Sequence, residues 1–282
     1  MNVISALRSA LPGKSAGLKP LLPRCASATC RTRPRFLSLS LRAEGIQIDG
    51  NWYCGPDCFE EAARDQIAAL CSSRRLGDEP LKPRLPLGLT ALSLGHITSE
   101  QLRSALEHQR RHGGRIGEIL QSLEFATDAQ ITASLAAQWG HPVLSLRNRR
   151  LQTPQRIPIR LMELYSMLPV HFVAQTNKLV IGFAELVDYR ILSTIEAMLD
   201  CTVVPCFIAR NEFENHFQAA RLRPSNDEVL FDRRAGLHEI ASITRSYAWQ
   251  MSAVAASFGL CRDYVWSRLH GTQVSVDLLS RI

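Results

Sequence analysis

Four of the eight cysteines fall in two close pairs, Cys25-x4-Cys30 and Cys54-x3-Cys58, a spacing that suits metal ligation. Zinc takes four soft ligands placed tetrahedrally, and two tight pairs joined by a hairpin can supply them. Between the pairs, Arg42-Ala-Glu-Gly-Ile-Gln-Ile-Asp-Gly-Asn-Trp-Tyr53 carries alternating apolar residues about Asp49-Gly50, which predicts a two-stranded hairpin. Cys54-Gly-Pro-Asp-Cys58 then opens a helix, with Pro56 suited to a first turn and Asp57 near the positive end of its dipole. The order knuckle, hairpin, knuckle, helix predicts a small treble-clef-like unit in which Cys25, Cys30, Cys54 and Cys58 hold a structural zinc ion. Free thiols in a polar loop are the alternative, or a disulfide pair were the chain exported; the lack of a recognisable signal peptide favours zinc. Cys71, Cys201, Cys206 and Cys261 are scattered in apolar surroundings and read as small core residues.

Other chemistry is thinly represented. Gly13-Lys14-Ser15 resembles the end of a phosphate loop, but Arg8 stands where the loop needs its first glycine, and no strand precedes it. The eight histidines, His171 and His216 among them, are isolated from any nucleophile that they would activate. The sequence therefore predicts no enzyme.

The elements that would position a ligand come from an internal repeat with a period of 29 residues. Copy one runs from Pro86 to Gln109 and copy two from Arg115 to Gln138, joined by the five residues Arg110 to Gly114. Gly88 matches Gly117, Leu102 matches Ile131, and Gln109 matches Gln138. Each copy predicts a short helix, a turn, and a second helix capped by Thr98 or Thr127, with apolar positions at helical spacing that must be core.

This tandem unit, including its linker length, resembles the N-terminal domain of type II secretion and type IV pilus assembly ATPases. The units of that family read roughly Arg-Leu-Gly-x-x-Leu-Leu-x-x-Gly-Leu-Leu-x4-Leu-x-x-x-Leu-x-x-Gln. The resemblance implies that the double unit can bind cyclic di-GMP, each half cradling one guanine, through Gly88, Gly95, Gln109, Arg115, Gly117 and Gln138. An arginine fork suits the O6 and N7 acceptors of guanine, and glycines let backbone approach the ligand. Two positions depart from the pattern: Pro86 replaces the arginine of copy one, and Glu124 the second glycine of copy two. Losing one bidentate arginine weakens binding by about 1–3 kcal/mol, or roughly 5- to 150-fold. Arg84, two residues upstream of Pro86, is the nearest substitute.

The resemblance continues to Leu222. A helix over Pro158–Tyr165, strands over Met167–Val173 and Lys178–Ala184, a helix over Val187–Leu199, a strand over Thr202–Ile208 and a helix over Asn211–Leu222 give an αββαβα order, like the second half of the same ATPase domain. The 60 residues after Leu222 are too few for a motor domain. They predict a long helix over Leu237–Phe258 and a hairpin from Leu260 to Leu279, with Tyr264, Trp266 and Arg268 on one strand face.

The chain is thus expected to be an α+β protein. Its parts are a disordered basic tail (1–22), a zinc knuckle and helix (23–71), a linker (72–85), the helical tandem repeat (86–146), the αββαβα subdomain (147–224) and a C-terminal helix-hairpin unit (225–282). The formal charge of +7 arises at the start: residues 1–43 hold eight basic residues and no acid, leaving 25 basic against 26 acidic residues in the rest. That neutral body argues against nucleic acid as the partner, and no apolar run is long enough to span a membrane. The expected function is a cytoplasmic, bacterial, non-catalytic regulatory adaptor whose partners are proteins of a secretion or pilus machine, with cyclic di-GMP as ligand. The alternatives are a purely structural interaction module with a degenerate pocket, and a zinc-dependent nucleic-acid binder.

Overall fold

The computed structural model describes residues 24–30, 45–76, 84–148, 151, 157–222 and 227–282. The tail expected over 1–22 and the middle of the expected linker, 77–83, lie outside the described residues. In chain order the elements begin with β1 (Ile46–Ile48), β2 (Asn51–Tyr53) and α1 (Pro56–Leu76). The repeat supplies α2 (Leu87–Ser93), α3 (Ser99–His112), α4 (Ile116–Ser122) and α5 (Asp128–Trp139). Next come α6 (Ile159–Tyr165), β3 (Met167–Val173), β4 (Lys178–Phe183), α7 (Tyr189–Leu199), β5 (Thr202–Phe207) and α8 (Arg210–Arg221). The chain closes with β6 (Glu228–Phe231), α9 (Leu237–Gln250), β7 (Ala255–Cys261), β8 (Tyr264–His270) and β9 (Ser275–Arg281).

Both copies of the repeat start their second helix with the same device. The Thr98 hydroxyl accepts the Gln101 amide N–H while Gln101 Oε1 accepts the Thr98 N–H at 2.8 Å; Thr127 and Gln130 repeat the pair. The four helices bury a small core of their own, including Ala91, Leu102, Ala105, Ile119, Leu120 and Ile131.

The next segment has the order α-β-β-α-β-α. β3 and β4 pair antiparallel across a turn in which Asn177 has φ 50°, and β4 and β5 pair parallel. Helix α8 lacks a side-chain cap of its own. The carboxylate of Asp128, at the start of α5, instead accepts the Arg210 and Asn211 N–H groups at 3.2 and 3.0 Å, so the repeat satisfies the start of α8.

The C-terminal segment departs from expectation. The predicted helix over Leu237–Phe258 stops at Gln250: Ser252 adopts φ 52°, and the Ala253 N–H closes back on the Ala248 carbonyl at 2.8 Å. Residues 255–261 become β7, and the predicted hairpin becomes the antiparallel run β7-β8-β9. β1 also joins this sheet, pairing parallel with β7, so the described strands form a six-stranded sheet in the order β2-β1-β7-β8-β9-β6 beside the three-stranded sheet β3-β4-β5. The strands expected in a separate N-terminal knuckle therefore lie in one sheet with those of the C-terminal unit.

Every β8 residue but His270 is buried, because the sheet is covered on both faces. On one face Val265, Leu269 and Leu278 meet Phe59, Ala63 and Ile67 of α1 and Ile240, Ala241 and Ala248 of α9. On the other, Tyr264, Trp266 and Leu279 share a core with Ile191, Ile195 and Met198 of α7. Gly259 permits the close approach of α7 to β7, since a Cβ there would lie 2.5 Å from Thr194 Cγ2 and 3.3 Å from Met198 Cγ. Gly259→Ala is expected to cost about 1–3 kcal/mol by overpacking this contact, read as a lower urea midpoint at unchanged slope.

Candidate ligand cradle and metal centre

The two glutamines that end the repeats perform matching tasks. Gln109 Nε2 donates to the Gly114 carbonyl at 2.8 Å, and Gln138 Nε2 donates to the Leu85 carbonyl at 2.6 Å. Each amide thus holds the residue just before position 115 or 86, and the end of α5 closes back on the start of α2. Pro86 and Arg115 occupy equivalent N-cap positions with extended backbone, φ −55° and ψ 143° against φ −90° and ψ 134°.

Gly88 and Gly117 are buried packing positions. A Cβ on Gly88 would lie 2.6 Å from Leu102 Cδ1, and one on Gly117 would meet Leu87 at 3.2 Å and Ile131 at 3.4 Å. Gly95 is exposed at a turn with φ 70°, and Glu124, its counterpart, takes the same left-handed conformation with φ 58°. The glycine in that slot of the pattern is therefore needed first for the turn.

Arg115 is ion-paired. Its guanidinium bonds the carboxylate of Glu185, which lies after β4 and also receives Arg210 Nη1 at 3.0 Å; Arg210 reaches Glu118 at 3.4 Å and Glu214 at 3.2 Å. Burial opposes ionisation of Glu185, but Arg115 and Arg210 outweigh it and hold its carboxyl below the usual carboxylate range.

Arg84 stands elsewhere in the repeat. Its guanidinium lies 3.4 Å from the centre of the Trp139 ring and 6.0 Å from that of Tyr189. The Tyr189 hydroxyl and His141 Nε2 share a hydrogen bond at 2.8 Å, and burial together with the Arg84 charge lowers the His141 pKa. The segment Glu185–Tyr189 thus meets Arg115 at one end and, through the exposed Tyr189, lies beside Arg84 at the other, with Leu186 exposed between. Residue types alone gave no sign of Glu185, Arg210 or the Arg84–Trp139 stack; the only sequence signal was the Arg84 that stands near the missing arginine.

The cysteine pairs converge. The sulfurs of Cys25, Cys30, Cys54 and Cys58 all lie within 4.8 Å of one another, with Cys30 to Cys54 at 3.5 Å and Cys54 to Cys58 at 4.0 Å. Burial pushes the Cys58 thiol up to about 12. The Ala26 N–H bonds the Trp52 carbonyl at 2.9 Å, and Glu61 of α1 accepts from the Thr29 and Ser27 hydroxyls at 2.5 and 3.2 Å, which fastens the loop carrying Cys25 and Cys30 over the helix start. Cys201, Cys206 and Cys261 are buried apart from this cluster.

The chain carries a region similar to the N-terminal domains of secretion and pilus ATPases. It is 23% identical over 131 residues to the type IV pilus assembly ATPase PilB of Thermus thermophilus, which is 45% of this chain but only 14% of that relative. Among solved structures, MshE with cdg is 23% identical with a TM-score of 0.40, covering 48% of this chain and 99% of its own; the N-terminal domain of XpsE is 12% identical with a TM-score of 0.38, covering 48% and 96%. No family model matches the sequence.

The Arg115 side chain is 63% exposed, so its pair with Glu185 is worth little in water. A double-mutant cycle with Arg115→Ala and Glu185→Gln is expected to return a coupling energy of about 0.2–1 kcal/mol in urea denaturation. A value above about 2 kcal/mol would mark Arg115 as a structural anchor and not a group that a ligand can recruit.

Proposed function

We propose that this chain is a non-catalytic regulatory adaptor of a bacterial secretion or pilus machine, acting in the cytoplasm, and that its tandem repeat binds cyclic di-GMP. The observation that carries this reading is the paired anchoring by Gln109 and Gln138, which presents positions 115 and 86 in equivalent settings, as a two-fold symmetric ligand requires. The sequence similarity to PilB supports the same class of machine. No helix among the described residues is long and apolar enough to cross a membrane. With no phosphate loop in the sequence, ATP hydrolysis is not expected; a steady turnover abolished by a substitution in this chain would contradict the reading.

The purely structural module is the second reading, favoured by Gly88 and Gly117, whose close packing needs no ligand. Calorimetric titration with cyclic di-GMP separates the two. Arg115→Ala is expected to abolish binding, because copy one holds Pro86 where a second fork would stand. Pro86→Arg is expected to tighten binding by roughly 5- to 150-fold, the extended N-cap backbone there being open to arginine. Glu185→Gln, which frees Arg115 from its acid, is expected to tighten it by about 1.4- to 5-fold. If folded wild type and folded Pro86→Arg both fail to bind at millimolar ligand, the ligand reading is wrong and the structural module stands.

A further inference from the structure

The cysteine cluster lies at the hairpin and helix that join the C-terminal strands. Cys54 follows β2 directly and Cys58 sits in the first turn of α1, so these sulfurs fix the angle between the small hairpin and the helix. The hairpin is the outer pair of strands in the sheet: β1 runs parallel to β7, and the Gln47 N–H bonds the Val254 carbonyl at 3.0 Å. The helix covers the same sheet: Phe59, Ala63 and Ile67, each fully buried, pack in one core with Ile240, Ala241 and Ala248 of α9. Glu60 pairs with Arg245 of α9 at 2.6 Å, and the Phe59 and Trp249 rings meet edge to face with centroids 5.6 Å apart.

Strands of three residues contribute few ladder hydrogen bonds, and a hairpin of that size is marginal on its own in water. The four sulfurs add a second fixed point, between β2 and the start of α1. A tetrahedral zinc–thiolate centre, with Zn–S near 2.3 Å, places its sulfurs about 3.8 Å apart, and the observed separations of 3.5 and 4.0 Å, with none beyond 4.8 Å, bracket that value. Two disulfides would need approach only within each pair, whereas here every sulfur lies within 4.8 Å of the other three, and Cys30 and Cys54 of different pairs are 3.5 Å apart.

We propose that Cys25, Cys30, Cys54 and Cys58 bind one zinc ion, and that this ion makes a single metal-dependent domain out of residues 25–30, 45–73 and 228–282. The metal fixes β2 to α1, α1 then covers α9 and the sheet, and β1 extends the sheet past β7. The C-terminal strands therefore depend on a site formed by residues far from them in the sequence, Cys25, Cys30, Cys54 and Cys58. This inference is independent of cyclic di-GMP binding.

The test uses the whole chain purified without chelator. Elemental analysis is expected to find one equivalent of zinc, and cobalt exchange to give the absorption of a tetrahedral tetrathiolate. Cys71→Ser, outside the cluster, is expected to keep the metal, and Cys54→Ser to lose it. Stripping the wild-type protein with a mercurial reagent and chelator, then removing the reagent under reducing conditions, is expected to raise amide hydrogen exchange in 46–73 and in 237–281 together. Readdition of zinc is expected to restore both, with 86–148 unchanged throughout. Because the stripped wild type carries this readout, an unfolded Cys54→Ser leaves the test intact. Absence of zinc and of the cobalt signature, or iron in its place, overturns the site. Bound zinc whose removal leaves 237–281 protected overturns the joint domain.

Discussion

Helix α7 is confined on two sides, and much of the molecule follows from that confinement. Its buried residues Ile191, Leu192, Ile195 and Met198 belong to the core shared by the three-stranded sheet and by Cys261, Tyr264, Trp266 and Leu279 of the six-stranded sheet. A helix between two sheets needs close approach on the second side, and Gly259 provides it under Thr194, whose hydroxyl reaches the Leu260 carbonyl at 3.3 Å. The position of α7 in turn fixes the segment that leads into it. Asp188 caps the helix by accepting the Arg190 N–H at 3.0 Å, which holds Glu185 and Tyr189 on either side in defined places. Those residues meet Arg115 and the Arg84–Trp139 stack, so the repeat is connected through α7 to the C-terminal sheet by contiguous packing.

The same contacts show why a charge pair at the repeat need not be strong to matter. Arg115 and Arg210 converge on Glu185 from the repeat and from α8, and Asp128 crosses in the other direction to cap α8. Asp128 pairs two backbone donors at the start of α8 that have no acceptor within the helix. The repeat and the αββαβα segment are therefore joined by Asp128, by the bonds from the Leu144 N–H to the Phe207 carbonyl and from the Phe207 N–H to the Pro142 carbonyl, each at 2.8 Å, and by apolar packing. Arg115 is the exchangeable member.

Local signals carried the sequence reading far. Thr98 and Thr127 with Gln101 and Gln130 three residues on are capping boxes, and Asp49-Gly50 is a two-residue turn with φ 48° and 78°. Partnerships across long separations were not legible. β1 and β7 lie far apart in the chain, and nothing in Ile46-Gln-Ile48 specifies a parallel neighbour. The overlong helix had a local cause: Ala253, Ala255 and Ala256 suit a helix, and only Ser252 in the left-handed region reveals the stop. Trp266 and Arg268 did share a face, but as buried partners of Asp277, at 2.7 and 2.8 Å.

The repeat also shows how a motif mixes folding and recognition. Gly88 and Gly117 answer to helix packing, Gly95 to a turn, and Gln109 and Gln138 to backbone carbonyls. Glu124 makes the point most directly, since it keeps the left-handed backbone of its counterpart at a cost of about 1 kcal/mol that glycine avoids. Its presence weakens the turn; it does not by itself close the cradle. Among the motif residues of both copies, Arg115 alone directs a charged side chain away from the repeat backbone, toward an acid on the neighbouring segment. A guanidinium with no folding duty inside the repeat, held by an exposed and cheaply broken pair, is the feature of the motif that packing does not explain.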